Sequence, residues 1–245
     1  LVAQQLLQQL LVLILLFYMI KWKPIFRFEP MRIKKLLSFS SGVLSSSLLS
    51  YAGDSIYSVF FGKAYSLRDL GYYDKGAQLP RQLSLYTFGS LTSVLLPTLS
   101  SNQNDLDTLK RILRRIVTFT AFIIFPLMSF MCVAAEPIIV LLLTEKWLPC
   151  LNFFRLSCLY HIATPIMLIN IQLFFALGRS YLRVKLETIR FALLVLLLWL
   201  MGFVFRLDII LIVAGQAVVA LFMAAISFVE TQNLLGYRFS EIAED

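Results

Sequence analysis

The chain has 245 residues, of which 59% are hydrophobic and only 15% are charged, and its mean hydropathy is +0.81. A soluble domain carries about a quarter charged residues, so this composition excludes an ordinary soluble domain and indicates a membrane protein. The net charge of +8 does not indicate nucleic-acid binding, because the basic residues lie between apolar runs and form no single basic face of a soluble module.

Seven apolar segments follow one another along the chain, and each approaches the roughly 20 residues that a helix needs to cross hydrocarbon. Charged or Pro/Gly clusters separate them. The sequence therefore predicts an all-α fold, a polytopic transmembrane helix bundle of about seven spans. The predicted spans are residues 3–20, 33–62, 79–100, 114–143, 151–177, 187–205 and 207–229.

Basic residues concentrate in alternate connections between these spans. Because cytoplasmic loops are enriched in Lys and Arg, the pattern predicts that the odd-numbered connections and the carboxyl-terminal tail are cytoplasmic. The first residues carry no basic segment and no initiator methionine, so we expect a chain that begins within a helix and has no secretory signal. The basic residues of the odd-numbered connections are Lys21, Lys23, Arg27, Arg32, Lys34, Lys35, Lys110, Arg111, Arg114, Arg115, Arg179, Arg183 and Lys185.

A polar stripe runs along the second predicted span. Ser47, Tyr51, Asp54 and Ser58, with Ser40 before them, fall at helical spacing on one face, which should not contact lipid. Serines alone can serve helix packing in membranes. An intramembrane carboxylate, however, marks a transport path, a proton relay or a paired site. Asp54 is therefore the first candidate functional residue.

The third predicted span opens with Arg81 and Gln82. Two interpretations of Arg81 remain open: it forms a salt bridge with Asp54, or it faces a water-filled cavity and attracts phosphate through its forked donors. Glu136 and His161 are further candidates for ion coupling beside Asp54, although a lone histidine in an apolar helix is more often a hydrogen-bonded core residue. The cysteines Cys132, Cys150 and Cys158 are interpreted as buried thiols.

Signatures of catalysis are absent from the sequence. It has no His/Cys/Asp/Glu cluster at metal-ligand spacing, no phosphate-cradling glycine loop and no nucleophile elbow. We therefore expect no enzyme activity, no cofactor and no metal.

Four sequence motifs follow one another along the chain. They are WKPIFRFEPMRIKKLLSFSSGVLSSSLLSYAGDSIYSVFFGKAYSLRDLGYYDKGAQLP from Trp22, LLPTLSSNQND from Leu95, AAEPIIVLLLTEKW from Ala134 and NIQLFFALGRSYLRVKLE from Asn170. In sequence and in order they resemble motifs of the bacterial polysaccharide repeat-unit flippases, which export O-antigen, colanic acid or teichuronic acid and belong to the multidrug/oligosaccharidyl-lipid/polysaccharide exporter superfamily. One departure is Thr144, where the family pattern leads us to expect glycine.

The resemblance implies two six-helix lobes around a central cationic cavity, with alternating access. Residues 1–20 would then be the last helix of an otherwise missing amino-terminal lobe, and 21–32 a cytoplasmic interfacial linker. Residues 33–230 would form the six-helix carboxy-terminal lobe, and 231–245 a cytoplasmic tail. The implied function is translocation of undecaprenyl-pyrophosphate-linked oligosaccharide across the inner membrane. The candidate cavity residues are Arg81, Asp54, Ser47, Tyr51, Ser58 and Gln82.

Expected partners are the lipid-linked oligosaccharide, the lipid bilayer, the missing lobe and the polysaccharide polymerase machinery, but no nucleic acid. A first alternative is a cation-coupled multidrug exporter of the same superfamily, in which Asp54 would bind a proton or sodium. A second alternative is a membrane enzyme acting on lipid-linked sugars. The short predicted outer connections disfavour the enzyme, because such enzymes need a sizeable external loop for their catalytic residues.

Overall fold

The computed structural model describes residues 2–20 and 30–236, and these residues form helices with no β-strand. The predicted all-α helix bundle is thereby confirmed. A 3₁₀ segment, Glu145–Cys150, precedes α6, and a π-helical segment, Leu198–Val204, follows α7. The helices are α1 (Val2–Ile20), α2 (Pro30–Ala64), α3 (Leu67–Ser101), α4 (Leu106–Val133), α5 (Ala135–Leu143), α6 (Leu151–Ala176), α7 (Ser180–Leu197) and α8 (Ile209–Leu235).

Four of the described helical segments are long and apolar enough to cross a membrane: Leu106–Val133, Glu145–Ala176, Ser180–Val204 and Ile209–Leu235. In α1, the apolar stretch Leu6–Met19 is shorter. Helices α2 and α3 have 35 residues each, which is more than a span requires, but neither reaches the hydropathy of the four. The chain is therefore a polytopic membrane protein, whereas the total of seven spans remains a prediction.

Helix α3 begins 12 residues before the predicted span that starts at residue 79. The helix starts at Leu67 because the Ser66 side chain accepts a hydrogen bond from the Asp69 backbone N–H, and the Asp69 carboxylate accepts one from the Ser66 N–H. The added turns pack closely, since a Cβ on Gly76 would lie 2.9 Å from the Cys150 carbonyl oxygen. The predicted span 114–143 differs too, because it is divided between α4 and α5. Pro137 stands in the first turn of α5, where its missing N–H is tolerated.

The chain divides into two compact units, Leu1–Ser38 and Phe39–Asp245. In the larger unit, α6 is the central helix and packs against α3, α4 and α8. One core cluster joins Leu99 of α3, Leu113 of α4 and Leu173 of α6, all of them fully buried. Because lipid tails are as apolar as these side chains, close van der Waals packing holds such helices together in a membrane.

Two glycines of α2 lie against polar side chains of α7. A Cβ on Gly42 would lie 2.9 Å from the Ser180 hydroxyl oxygen, and a Cβ on Gly53 would lie 3.2 Å from Nη2 of Arg190. The absence of a side chain at Gly53 thus leaves room for the Arg190 guanidinium beside α2.

Thr144, at the end of α5, has φ 78° and ψ 163°. This backbone region is almost confined to glycine, and a side chain there costs about 1–3 kcal/mol. The position where the family pattern leads us to expect glycine is therefore a position where the backbone conformation favours it.

Candidate functional site

Asp54 of α2 forms an ion pair with Arg190 of α7, and 3.2 Å separates its Oδ1 from the Nη1 of the arginine. The salt bridge considered from the sequence, between Asp54 and Arg81, is not the one that the structure contains. Close packing at Gly53 explains the difference, because it places the neighbouring residues of α2 directly against the Arg190 guanidinium.

Arg190 is the centre of a polar network in the apolar bundle. Its Nε donates a hydrogen bond to Oε2 of Glu187 at 2.8 Å, one turn earlier on α7. Its Nη2 donates to the carbonyl oxygen of Ser50 at 3.2 Å and to the Ser50 hydroxyl at 3.3 Å. Every nitrogen of the guanidinium thus has a partner, as a buried charge requires.

Burial differs sharply among the three charged residues. Arg190 is 7% exposed and Glu187 is 6% exposed, whereas the Asp54 side chain is 61% exposed. The Arg190–Glu187 pair is therefore a buried ion pair, for which removal of one partner is costly. Asp54 binds the same guanidinium and is the one exposed member of the three.

Tyrosines surround this network. Tyr160 of α6 interacts electrostatically with Arg190, and the Tyr57 hydroxyl is buried without a hydrogen-bond partner among the described residues. Tyr73 donates a hydrogen bond to Oε1 of Gln216 on α8 at 3.3 Å. Polar groups from five helices, α2, α3, α6, α7 and α8, therefore lie within the bundle.

The predicted stripe on α2 lies beside its packed face. Tyr51 is 73% exposed and Asp54 is exposed, whereas Ser47 and Ser58 are half-buried. The packed face, which contains the fully buried Tyr57, joins a core cluster with α6, α7 and α8. The stripe residues are therefore less buried than the packed face of α2.

Arg81 and Gln82 are neighbours on α3, but they lie in different surroundings. Arg81 is exposed, and no hydrogen bond or ion pair joins it to another described residue; it interacts electrostatically with Asp74 and His161. Gln82 borders a cleft of about 220 Å³ between α3 and α5, which Lys75 and Leu142 also line. Among the described residues, no hydrogen bond or ion pair links Arg81 or Gln82 to the Asp54 stripe.

His161 and Glu136, the other two candidates for coupling, are placed differently from Asp54. His161 is 8% exposed, its Nδ1 lies 3.3 Å from the Thr164 hydroxyl, and its ring packs edge-on against Tyr160. This is the environment of a hydrogen-bonded core histidine. Glu136 is exposed in the first turn of α5, and no ion pair with another described residue involves it. Of the three candidates, Asp54 alone belongs to the charged network.

The sequence interpretation missed the buried members of this network, Glu187 and Arg190. Their signal was an acidic and a basic residue three positions apart within the predicted start of an apolar span. Such a pair occupies one helix face, but it resembles the charged residues that commonly end a membrane helix. Arg190 is held by Ser50 and Asp54 of α2, which lie far from it in the sequence.

Part of this chain is similar to known proteins. Residues 1–152 match the family described as polysaccharide biosynthesis protein. A curated relative, an uncharacterized membrane protein in the cps region of Klebsiella pneumoniae, is 27% identical over 143 residues. The match covers 58% of this chain and 29% of the relative, so the chain spans less than a third of that protein. No solved structure matches the chain. Because the family match covers more than half of its residues, the chain belongs to the polysaccharide biosynthesis protein family.

Proposed function

We propose that this chain is the carboxy-terminal part of a flippase that moves undecaprenyl-pyrophosphate-linked oligosaccharide across a bacterial inner membrane. One observation carries the proposal: α2 and α3 are the two longest described helices, yet both are more polar than the four segments that qualify as membrane spans. Polar side chains in a membrane bundle need partners or water. The exposed polar surface of α2 and α3 is therefore suited to line an aqueous path.

Arg81 is the residue best suited to hold the pyrophosphate. It is exposed, lies on one of the two polar helices and carries no ion-pair partner among the described residues. A guanidinium offers forked donors that match phosphate oxygens. Ser47, Tyr51, Ser58 and Gln82 would offer hydrogen bonds to the sugar, and these hydroxyl and amide groups carry no charge that would repel the pyrophosphate.

Transport of this kind needs no covalent chemistry. The sugar and pyrophosphate enter the polar cavity, the polyprenyl chain stays in lipid, and rocking of two lobes exposes the cavity to the other side. In this arrangement residues 1–20 end the amino-terminal lobe, 21–32 link the lobes and 33–230 form the carboxy-terminal lobe. The odd-numbered connections and residues 231–245 are cytoplasmic. The amino-terminal lobe and the polymerase machinery are the proposed protein partners.

The Asp54–Arg190 pair disfavours the multidrug exporter. A cation-coupled exporter needs a carboxylate that can bind a proton or sodium, but the Asp54 carboxylate already binds a permanently charged guanidinium 3.2 Å away. An enzyme is disfavoured because the connections predicted to lie outside, from α2 to α3, from α5 to α6 and from α7 to α8, are short. In the flippase, the network instead holds α2 against α7 while the stripe contacts substrate.

Substitution of Arg81 in the full-length protein tests the proposal. In cells whose surface polysaccharide depends on this protein, Arg81→Ala should lower surface polysaccharide on the order of tenfold, since a hydrogen bond to a charged group contributes about 1.5–3 kcal/mol. Lipid-linked oligosaccharide should accumulate at the same time. Arg81→Lys should retain part of the export, and Lys146→Ala, which removes an exposed charge elsewhere, serves as the control. Normal polysaccharide in Arg81→Ala at unchanged protein abundance would contradict the assignment.

A further inference from the structure

Arginine and phenylalanine side chains occupy successive turns on the exposed side of α4. Arg111, Arg115, Thr118 and Phe122 follow one another at spacings of four, three and four residues, which keeps them on one helix face. They border an open groove of about 650 Å³. The opposite face of α4 is packed in the core. The described residues that line the groove are Arg111, Arg114, Arg115, Thr118, Phe119 and Phe122.

The groove carries positive charge that its surroundings only partly neutralise. Lys110, just outside it, pairs with Asp107 at 3.8 Å. Arg111 donates a hydrogen bond to the Thr108 hydroxyl at 3.0 Å and lies within electrostatic reach of Asp105, but it forms no ion pair with a residue that the structure describes. Arg115 is exposed, and neither a hydrogen bond nor an ion pair joins it to another described residue. The groove is thus complementary to an anion.

The depth of these side chains in the membrane follows from the length of the uncharged part of α4. Residues 116–133 contain no charged side chain, and 18 residues rise about 27 Å along a helix, close to the roughly 30 Å of bilayer hydrocarbon. Arg111 and Arg115 therefore lie at headgroup level when α4 crosses the membrane. Phe119 and Phe122, which are 56% and 78% exposed, lie about 6 and 10 Å deeper, at the level of acyl chains.

We propose that this groove binds an anionic phospholipid, with its phosphate between Arg111 and Arg115 and one acyl chain against Phe119 and Phe122. Guanidinium groups bind phosphate through paired hydrogen bonds. The charge pattern predicts that this end of α4 is cytoplasmic, where anionic lipids attract basic residues. A lipid-linked sugar fits less well, because Thr118 is the one uncharged polar side chain among the described lining residues.

Native mass spectrometry of the purified full-length protein tests the site. The protein, freed of lipid in a neutral detergent, is offered equal amounts of phosphatidylglycerol and phosphatidylcholine with the same acyl chains. We expect phosphatidylglycerol to be retained in preference. The double substitution Arg111→Gln/Arg115→Gln should weaken its binding about 25-fold, since each basic residue near an anionic surface contributes about fivefold.

A matched control removes the same charge elsewhere. Lys63 and Arg179 are both exposed, and Lys63→Gln/Arg179→Gln should bind phosphatidylglycerol as the unaltered protein does. Phe122→Ala should weaken binding of the long-chain lipid, because it removes a contact with the acyl chain. Water-soluble glycerol phosphate, which has no acyl chain, should compete negligibly with the lipid. All these positions are exposed, so thermal unfolding of each variant should match that of the unaltered protein.

Four results would overturn the proposal. The first is an undiminished preference for phosphatidylglycerol in Arg111→Gln/Arg115→Gln. The second is an equal loss in the control variant, which would reveal a general effect of charge. The third is displacement of the lipid by glycerol phosphate alone, which would reduce the groove to an anion site. The fourth is complete displacement by an equal amount of undecaprenyl phosphate, which would make a polyprenyl lipid the ligand.

Discussion

Removal of Arg190 should destabilise the helix bundle strongly. In Arg190→Met the apolar part of the side chain is kept, but Glu187, at 6% exposure, loses the guanidinium 2.8 Å away. Loss of one partner from a buried ion pair costs about 3–5 kcal/mol. The Asp54 side chain is 61% exposed, so Asp54→Asn should cost no more than about 1 kcal/mol. The contrast between the two substitutions tests the assigned burial.

Equilibrium unfolding in mixed detergent micelles, followed by circular dichroism, measures both free-energy changes. The double variant Glu187→Leu/Arg190→Met provides the decisive comparison, because replacing a buried ion pair by apolar side chains is often neutral or stabilising. It should be more stable than Arg190→Met alone. The reasoning is refuted if the unfolding free energy of Arg190→Met lies within about 1 kcal/mol of that of the unaltered protein. It is also refuted if adding Glu187→Leu to Arg190→Met restores no stability.

Two further predictions concern the ends of helices. Thr144→Gly should stabilise the protein by about 1–3 kcal/mol through relief of its backbone conformation, φ 78°, whereas Thr144→Ala should not; unfolding free energies of the two variants decide the matter. Asp105 caps α4, and hydrogen bonds from the Thr108 hydroxyl and backbone N–H hold the pKa of its carboxyl below the ordinary value. Its contribution to stability should be complete above about pH 4 and be lost as the pH falls through that lowered pKa. Amide exchange in the first turn of α4 should become faster as this contribution is lost in acid. If Asp105→Ala showed the same acid-dependent change, the assignment of the effect to Asp105 would be contradicted.

Much of the local structure follows from residues close together in the chain. The apolar runs become helices, Ser66 and Asp69 start α3 through reciprocal hydrogen bonds, and Asp105 starts α4. The predicted burial of Cys150 and Cys158 is confirmed, whereas Cys132 is half-buried. These outcomes depend on hydropathy, periodicity and capping, which nearby residues determine.

Helix boundaries were predicted less well where packing extends a helix. The turns from Leu67 to Leu79 are too polar to suggest a span, but they continue the helix that Ser66 caps, and Gly76 packs against the backbone at Cys150 and Phe154. Sequence periodicity contains no record of that contact, since its residues lie more than 70 positions apart.

In the candidate site, too, the sequence predicts some features and helix packing decides others. Sequence alone identified Asp54 as a charged residue on a polar face of a membrane helix, and it identified the membrane class and the resemblance to the exporter family. Only the tertiary structure decided that Asp54 meets Arg190, which is 136 positions away, and that Glu187 is buried with it. The physical reason is that helical periodicity defines which side chains share a face, whereas the identity of the opposing helix depends on close packing at residues such as Gly53.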